Sequence, residues 1–213
     1  NAAILAEDDG IYNSGNDAVI TNNGTTLSEE YGIYNSGDDA VITNNATILA
    51  EEDGIYNFMS VNAVITNRGE IRTDGSGKDG IFDRNGTGTT INNTGLLISE
   101  LNNAIRVGAG SSGTTVNLGA PSYIGGEIFF GSSSTLNITT GASHSILWQL
   151  PDASVLDGGA PNFSGSVPWF YDAATGEFAT FDPTGLTASF NQLADTANTL
   201  ARVGRYGLGR ARS

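Results

Sequence analysis

The chain has 213 residues, no cysteine, and 23 Asp+Glu against 9 Lys+Arg, for a net charge of −14. That length suits one large domain or two small ones with a real core. The composition excludes a disulfide framework and thiol or zinc-finger chemistry, argues against nucleic acid as a partner, and leaves no apolar run near the ~20 residues of a membrane helix.

Asn1 opens inside a repeat, with no initiator Met and no basic-then-apolar leader. The chain therefore reads as a piece of something longer, with any targeting signal outside it. Self-similarity at about 22 residues dominates its first half. Gly10-Ile11-Tyr12-Asn13-Ser14-Gly15 recurs from Gly32 to Gly37, returns as Gly54-Ile55-Tyr56-Asn57, and again more loosely as Gly80-Ile81-Phe82-Asp83. Ala18-Val19-Ile20-Thr21-Asn22-Asn23 recurs from Ala40 to Asn45 and from Ala63 to Asn67, then as Thr90-Ile91-Asn92-Asn93. A third block centres on Leu5, Leu27, Leu49 and Ile71.

Three short β-branched blocks per period, separated by Gly, Asn and Asp, read as three strands per coil. No 3.6-residue periodicity runs within the unit, and about one Leu per unit is too few for a leucine-rich repeat. The fold expected is all-β, a right-handed parallel β-helix. In Ile-x-Asn-x-Gly/Ala the shared parity sends Ile20, Ile42, Ile65 and Ile91 inward. It places Asn22, Asn44, Asn67 and Asn93 at a corner, where rungs ~4.8 Å apart let each amide bond its copies. The same logic sends Tyr12, Tyr34, Tyr56 and Phe82 outward.

The spacing loosens after Arg68 through a Gly-rich outward loop at Thr73–Asp79. From about Ala120 the repeat fades, although Glu127–Phe130, Thr135–Ile138 and Ser145–Trp148 still read as strands. Both Trp lie between Trp148 and Pro183, and a non-repeating aromatic end suits a cap over the last open coil. Leu186, Phe190, Leu193, Ala197 and Leu200 then fall at helical spacing, ahead of Arg202, Arg205, Arg210 and Arg212. The expected division is coils over 1–119, a cap over 120–182, and a linker with a short C-terminal helix over 183–213.

In this order of parts the chain resembles the C-terminal portion of a bacterial autotransporter (type V secretion) passenger. The Ile-x-Asn-x-Gly coils look like its β-helix. Tyr123-Ile124-Gly125-Gly126 through Leu147-Trp148 looks like its pertactin-type autochaperone cap. Phe181-Asp182-Pro183-Thr184-Gly185-Leu186 is similar to the lead-in to an outer-membrane barrel. The resemblance implies display on the surface of a Gram-negative cell, with the barrel following Ser213. Adhesion, self-association and biofilm formation are the commonest roles of such passengers. The protease and esterase passengers are a poorer fit, because no Gly-Asp-Ser-Gly-type nucleophile motif appears. The chain also lacks the paired Asn at which some members are cut inside the helix.

Candidate binding residues lie just before each Gly-Ile-Tyr block. Glu7-Asp8-Asp9, Glu29-Glu30 and Glu51-Glu52-Asp53 recur in step, with no Lys or Arg before Arg68. Stacked one rung apart, like charges repel by ~1 kcal/mol in water and more near a protein surface. Four readings fit. Glu29, Glu30, Glu51, Glu52 and Asp53 could supply the six to eight oxygens that Ca²⁺ takes. The ladder could pair with a basic or hydroxyl-rich surface, or meet a copy of itself. Or it could serve solubility and guard against edge aggregation. Tyr12, Tyr34 and Tyr56 could stack on sugars or a protein partner, or on one another across rungs. Asp17 with Asp38-Asp39 forms a weaker second set, and Asp74 with Asp79 reads as part of a solvated loop. Gly108–Gly113 matches G-x-G-x-x-G but leads into a strand, so it fails the dinucleotide context. His144 is the only histidine, which precludes a multi-His metal site.

The expected function is a non-catalytic adhesin passenger whose partner is another copy of itself or a host surface ligand, with Ca²⁺ as the one candidate cofactor. The alternatives are a stalk and folding cap, with the functional region ahead of Asn1, and a polysaccharide-active enzyme. The enzyme fits least, because the acid-rich coils hold no basic residue.

Overall fold

The fold is taken from a computed structural model, which describes residues 3–142 and 146–182, with the side chain of Glu100 excepted. The expected C-terminal helix, the Arg-rich tail and His144 lie outside the described residues.

The chain winds into successive coils. Coil 1 is β1 (Ile4–Ala6), β2 (Ile11–Asn13) and β3 (Val19–Asn22). Coil 2 is β4 (Thr26–Ser28), β5 (Ile33–Asn35) and β6 (Val41–Asn44). Coil 3 is β7 (Thr47–Ala50), β8 (Ile55–Phe58) and β9 (Val64–Asn67), and coil 4 is β10 (Glu70–Thr73), β11 (Ile81–Arg84) and β12 (Thr90–Asn93). In coil 5 the first two strands fuse into β13 (Leu96–Val107), followed by β14 (Thr114–Leu118), and coil 6 repeats this as β15 (Tyr123–Phe130) and β16 (Ser134–Thr140). The end comprises β17 (Ile146–Gln149), β18 (Asn162–Gly165), β19 (Trp169–Asp172) and β20 (Glu177–Thr180).

Like strands stack on like. The first column runs β1-β4-β7-β10 into the start of β13, and the second runs β2-β5-β8-β11 into its end. The third is a seven-stranded sheet, β3-β6-β9-β12-β14-β16-β18. All of these pairings are parallel, so the expected parallel β-solenoid with three strands per coil is what forms. Its stacking continues through β15, β16 and β18, with no break at residue 120.

The core is a set of aliphatic ladders. Ile33, Ile55, Ile81 and Ile105 form one, and Ile42, Ile65, Ile91, Val116 and Leu136 another, all buried. Each such side chain contributes ~1.5–3 kcal/mol by leaving water, and β-branching suits the pleat. Glycine before the Ile-Tyr block has a steric cause. A Cβ on Gly32 would lie 2.5 Å from the Gly54 carbonyl oxygen, and one on Gly54 would lie 2.6 Å from that of Gly80.

Amides hold the corners. Asn22 donates to Asn44 at 2.8 Å, Asn44 to Asn67 at 2.8 Å, and Asn67 to Asn93 at 2.7 Å, which is the expected ladder. A second inner ladder runs Asn13 to Asn35 (2.7 Å), Asn35 to Asn57 (2.8 Å) and Asn57 to Asp83 (2.8 Å). Asp83 ends it: the buried carboxylate also accepts from the Thr89 and Thr114 hydroxyls at 3.0 and 2.9 Å. Buried amides that satisfy one another fix the register of the coils.

One equivalence expected from the sequence needs correction. Leu5, Leu27 and Leu49 align with one another and then with Arg72, while Ile71 aligns with Ile48 and faces the core. The third step is 23 residues rather than 22; Leu49, one residue past the buried Ile48, points outward with Leu5 and Leu27.

The cap is the antiparallel sheet β17-β20-β19. It buries Trp148 and Phe178, with the Phe178 ring 5.1 Å from Phe163 of β18 and stacked on it. These rings join the same apolar cluster as the coil isoleucines, so the end of the stack is closed by aromatic side chains.

Candidate functional site: the acidic edge and its groove

Between the first and second strands of coils 1–3 the chain turns a corner built from acids, and the register lays them down in three files. Glu7, Glu29 and Glu51 follow one another, with the Glu29 and Glu51 amides donating to the Ala6 and Ser28 carbonyls at 3.2 and 3.1 Å. Asp74, in the loop after β10, extends the line along the same groove. Glu30 and Glu52 follow Asp8, with the Glu52 amide donating to the Glu30 carbonyl at 3.3 Å. Glu7, Asp8, Glu29, Glu30 and Glu51 are exposed. Glu52 is not unopposed, because Lys78 from the Gly-rich loop of coil 4 reaches back to form an ion pair with it.

The third file turns inward, and here two expectations are corrected. Asp53 is only 6% exposed and Asp79 only 1%, so neither is a solvated edge acid. The Asp79 amide donates to the Asp53 carboxylate at 2.6 Å, and Asp79 in turn accepts from the Asn102 and Asn103 side-chain amides at 2.6 and 2.8 Å. Arg106 lies 3.6 Å from the other Asp79 oxygen. Burial pushes the Asp53 carboxyl up to about 6, with the Asp79 charge adding to the rise and the Asp79 N–H opposing it. Burial also raises Asp79, against the Asn103 amide and Arg106. In coil 2 the same position is Tyr31, whose N–H donates to Asp9 at 3.3 Å.

The aromatic ladder forms, and its rings face one another. Tyr12 stacks on Tyr34 at 5.0 Å, Tyr31 on Tyr56 at 4.6 Å, and Phe82 meets Tyr56 edge-on at 5.6 Å. Arg84 donates to the Tyr56 hydroxyl at 3.0 Å, and Arg106 sits 4.6 Å over the Phe82 ring. Tyr56 is thereby buried and Tyr34 half-buried, while Tyr12 stays 63% exposed. A ring face that is stacked on its neighbour is not free to stack on a sugar. Burial, with Asp53 a lesser cause, pushes the Tyr31 hydroxyl up to about 12.

On the other side of the acidic file the outward leucines complete a groove. Leu5, Leu27 and Leu49 form one wall, Glu7, Glu29, Glu51 and Asp74 the other, and Arg72 lies at the coil-4 end. Its volume is about 580 Å³. The weaker acidic set belongs to a different corner. Asp17 and Asp39 hold left-handed backbone (φ 56° and 54°), as does Asn62 (φ 55°), a conformation that Asp and Asn tolerate better than most residues. Among the described residues no group of three or more His, Asp or Glu converges as a metal site.

Three members of this edge were missed in the sequence. Tyr31 occupies an Asp column, visible on aligning Glu29-Glu30-Tyr31-Gly32 with Glu51-Glu52-Asp53-Gly54. The second Asn ladder lies in Ile-Tyr-Asn, where Asn shares the parity of Ile. The leucine wall lies in the adjacent apolar pair Ile48-Leu49, which supplies both faces.

Comparison with protein-family profiles, curated proteins and solved structures returned no match. The class established for the chain is therefore its architecture, a three-strand parallel β-solenoid with an antiparallel cap.

Proposed function

We propose that the chain is a non-catalytic adhesive segment of a surface-displayed autotransporter passenger, working through contacts repeated from coil to coil. The observation that carries this is the outer side of coils 1–3, where carboxylates and leucines each recur at one rung spacing in register. Such a surface adds weak identical contacts along a line, whereas a catalytic centre needs unlike groups converging on one point. Display on a Gram-negative cell, ahead of an outer-membrane barrel, follows from the resemblance in coils, cap and Phe181-Asp182-Pro183. Glu7, Glu29 and Glu51 run in a line, and in this reading Ca²⁺ bridges exposed carboxylates from two copies.

The association state of the purified chain tests this by analytical ultracentrifugation, with millimolar Ca²⁺ and with chelator. Calcium-dependent oligomers are expected. A monomer under both conditions favours the second reading, a stalk with a folding cap, whose support is the aromatic closure by Trp148, Phe163 and Phe178.

A further inference from the structure

The groove along coils 1–4 has an asymmetry that neither of its walls explains alone. Leu5 is 74% exposed and Leu27 37%, on the outer face of the first column of strands. Facing them, Glu7, Glu29, Glu51 and Asp74 have no side-chain partner among the described residues. An apolar file and an anionic file thus run side by side at the same rung spacing over two steps, or about 10 Å, before Arg72 takes the next place in the leucine file.

We propose that this groove binds a linear aliphatic polyamine, with its methylenes along the leucines and its ammonium groups on the carboxylates. The inference rests on reading the acidic edge as a binding surface and goes further by assigning its ligand class. The groove's repeat selects among cationic amphiphiles. Same-face side chains of an extended peptide recur every ~6.7 Å, out of step with rungs ~4.8 Å apart. A chain with three methylenes between nitrogens, as in one arm of spermidine, places its charges about 5 Å apart, close to one rung. A Lys stem over apolar surface with its ammonium in a polar rim uses the same division of labour.

The test is calorimetric titration of the full 213-residue chain with spermidine and, as a compact ion of equal charge, cobalt hexammine. Spermidine is expected to bind the tighter of the two. Glu29→Gln should weaken both by up to about five-fold, the scale of one exposed ion pair. Leu27→Asn should weaken spermidine by about five-fold through lost apolar contact and leave cobalt hexammine unchanged. Leu49→Asn repeats the test should Leu27→Asn lose its fold by circular dichroism. Equal binding of the two ions, or spermidine binding indifferent to both leucine substitutions, overturns the proposal and leaves only diffuse attraction of cations. Cell clumping is a separate readout, so an adhesin role can fail while spermidine binding stands, and the reverse.

Discussion

Coils 1–3 and the end beyond them carry their polar groups in opposite ways. In coils 1–3 the inner amide ladders turn to the core while Glu7, Asp8, Glu29, Glu30 and Glu51 stand outside, with no Lys or Arg among residues 1–67. From coil 4 onward the described basic side chains have partners: Arg72 on Glu70, Lys78 on Glu52, Arg84 on Tyr56, Arg106 on Asp79 and Phe82. The amides there also move outward, as Asn162 donates to Asn137 at 2.9 Å, Asn137 to Asn117 at 2.7 Å and Asn117 to Asn92 at 2.8 Å. The same stacking rule therefore serves two ends. Repetition displays charge at one and neutralises it at the other, where the aromatic cap closes the core.

Substitutions can break this contrast, the largest effect lying at the cap. Phe178→Ala empties a fully buried site against Trp148 and Phe163 and should cost ~3–5 kcal/mol in urea denaturation. A loss under about 1 kcal/mol would show that the cap does not hold the stack.

Within the coils, Asn44→Ala removes the acceptor of Asn22 and the donor to Asn67. It should cost ~2–3 kcal/mol, because buried partners are left unmade. Asn23→Ala, whose amide accepts from Asn45 on the exposed face, is the control and should cost under ~0.5 kcal/mol. Equal costs for the two would remove the distinction between inner and outer amides.

Asp53 sharpens the contrast through pH. Its folded-state carboxyl is raised from 3.8 to about 6, so the folded state binds its proton more readily than the unfolded chain does. Stability from this group therefore increases as pH falls from about 7 toward 4, the reverse of a salt-bridged carboxylate. Asp53→Asn keeps an acceptor for the Asp79 N–H and removes the charge. It should stabilise the protein by ~1–3 kcal/mol at pH 7 and flatten the melting temperature between pH 7 and 5. A variant that melts lower at pH 7, with the slope retained, would show that ionised Asp53 is stabilising.

The coil architecture was legible because its physics is periodic: Ile-x-Asn-x-Gly states strand, parity and corner in five residues. Register between coils was legible wherever a recognisable motif carried across an insertion, as from Asn44 to Asn67 and Asn93, and was lost in the block marked by a lone Leu. One inserted residue moved Leu49 into line with Arg72 instead of Ile71, which hid the leucine wall of the groove. The burial of Asp53 and Asp79 was also hidden, since an Asp beside two exposed acids looks like a third. What separates it is the Asp79 N–H at 2.6 Å, a contact made between residues 26 apart that local pattern does not carry. The cap was expected over 120–182 from its aromatic, non-repeating composition, whereas the parallel columns run on to β18 and the antiparallel sheet is β17-β20-β19, whose pairings span loops of uneven length.

The smallest expected effect on stability is the most informative about function. Glu29 and Glu30 are exposed, and neither side chain accepts a hydrogen bond from a described residue. The double variant Glu29→Gln, Glu30→Gln should change stability by under ~0.5 kcal/mol. Cells displaying the chain, with and without this substitution, should be compared for settling at equal surface expression. The variant is expected to clump markedly less at an unchanged melting temperature. Clumping equal to that of the unsubstituted chain would contradict the assignment of the acidic edge as the adhesive surface.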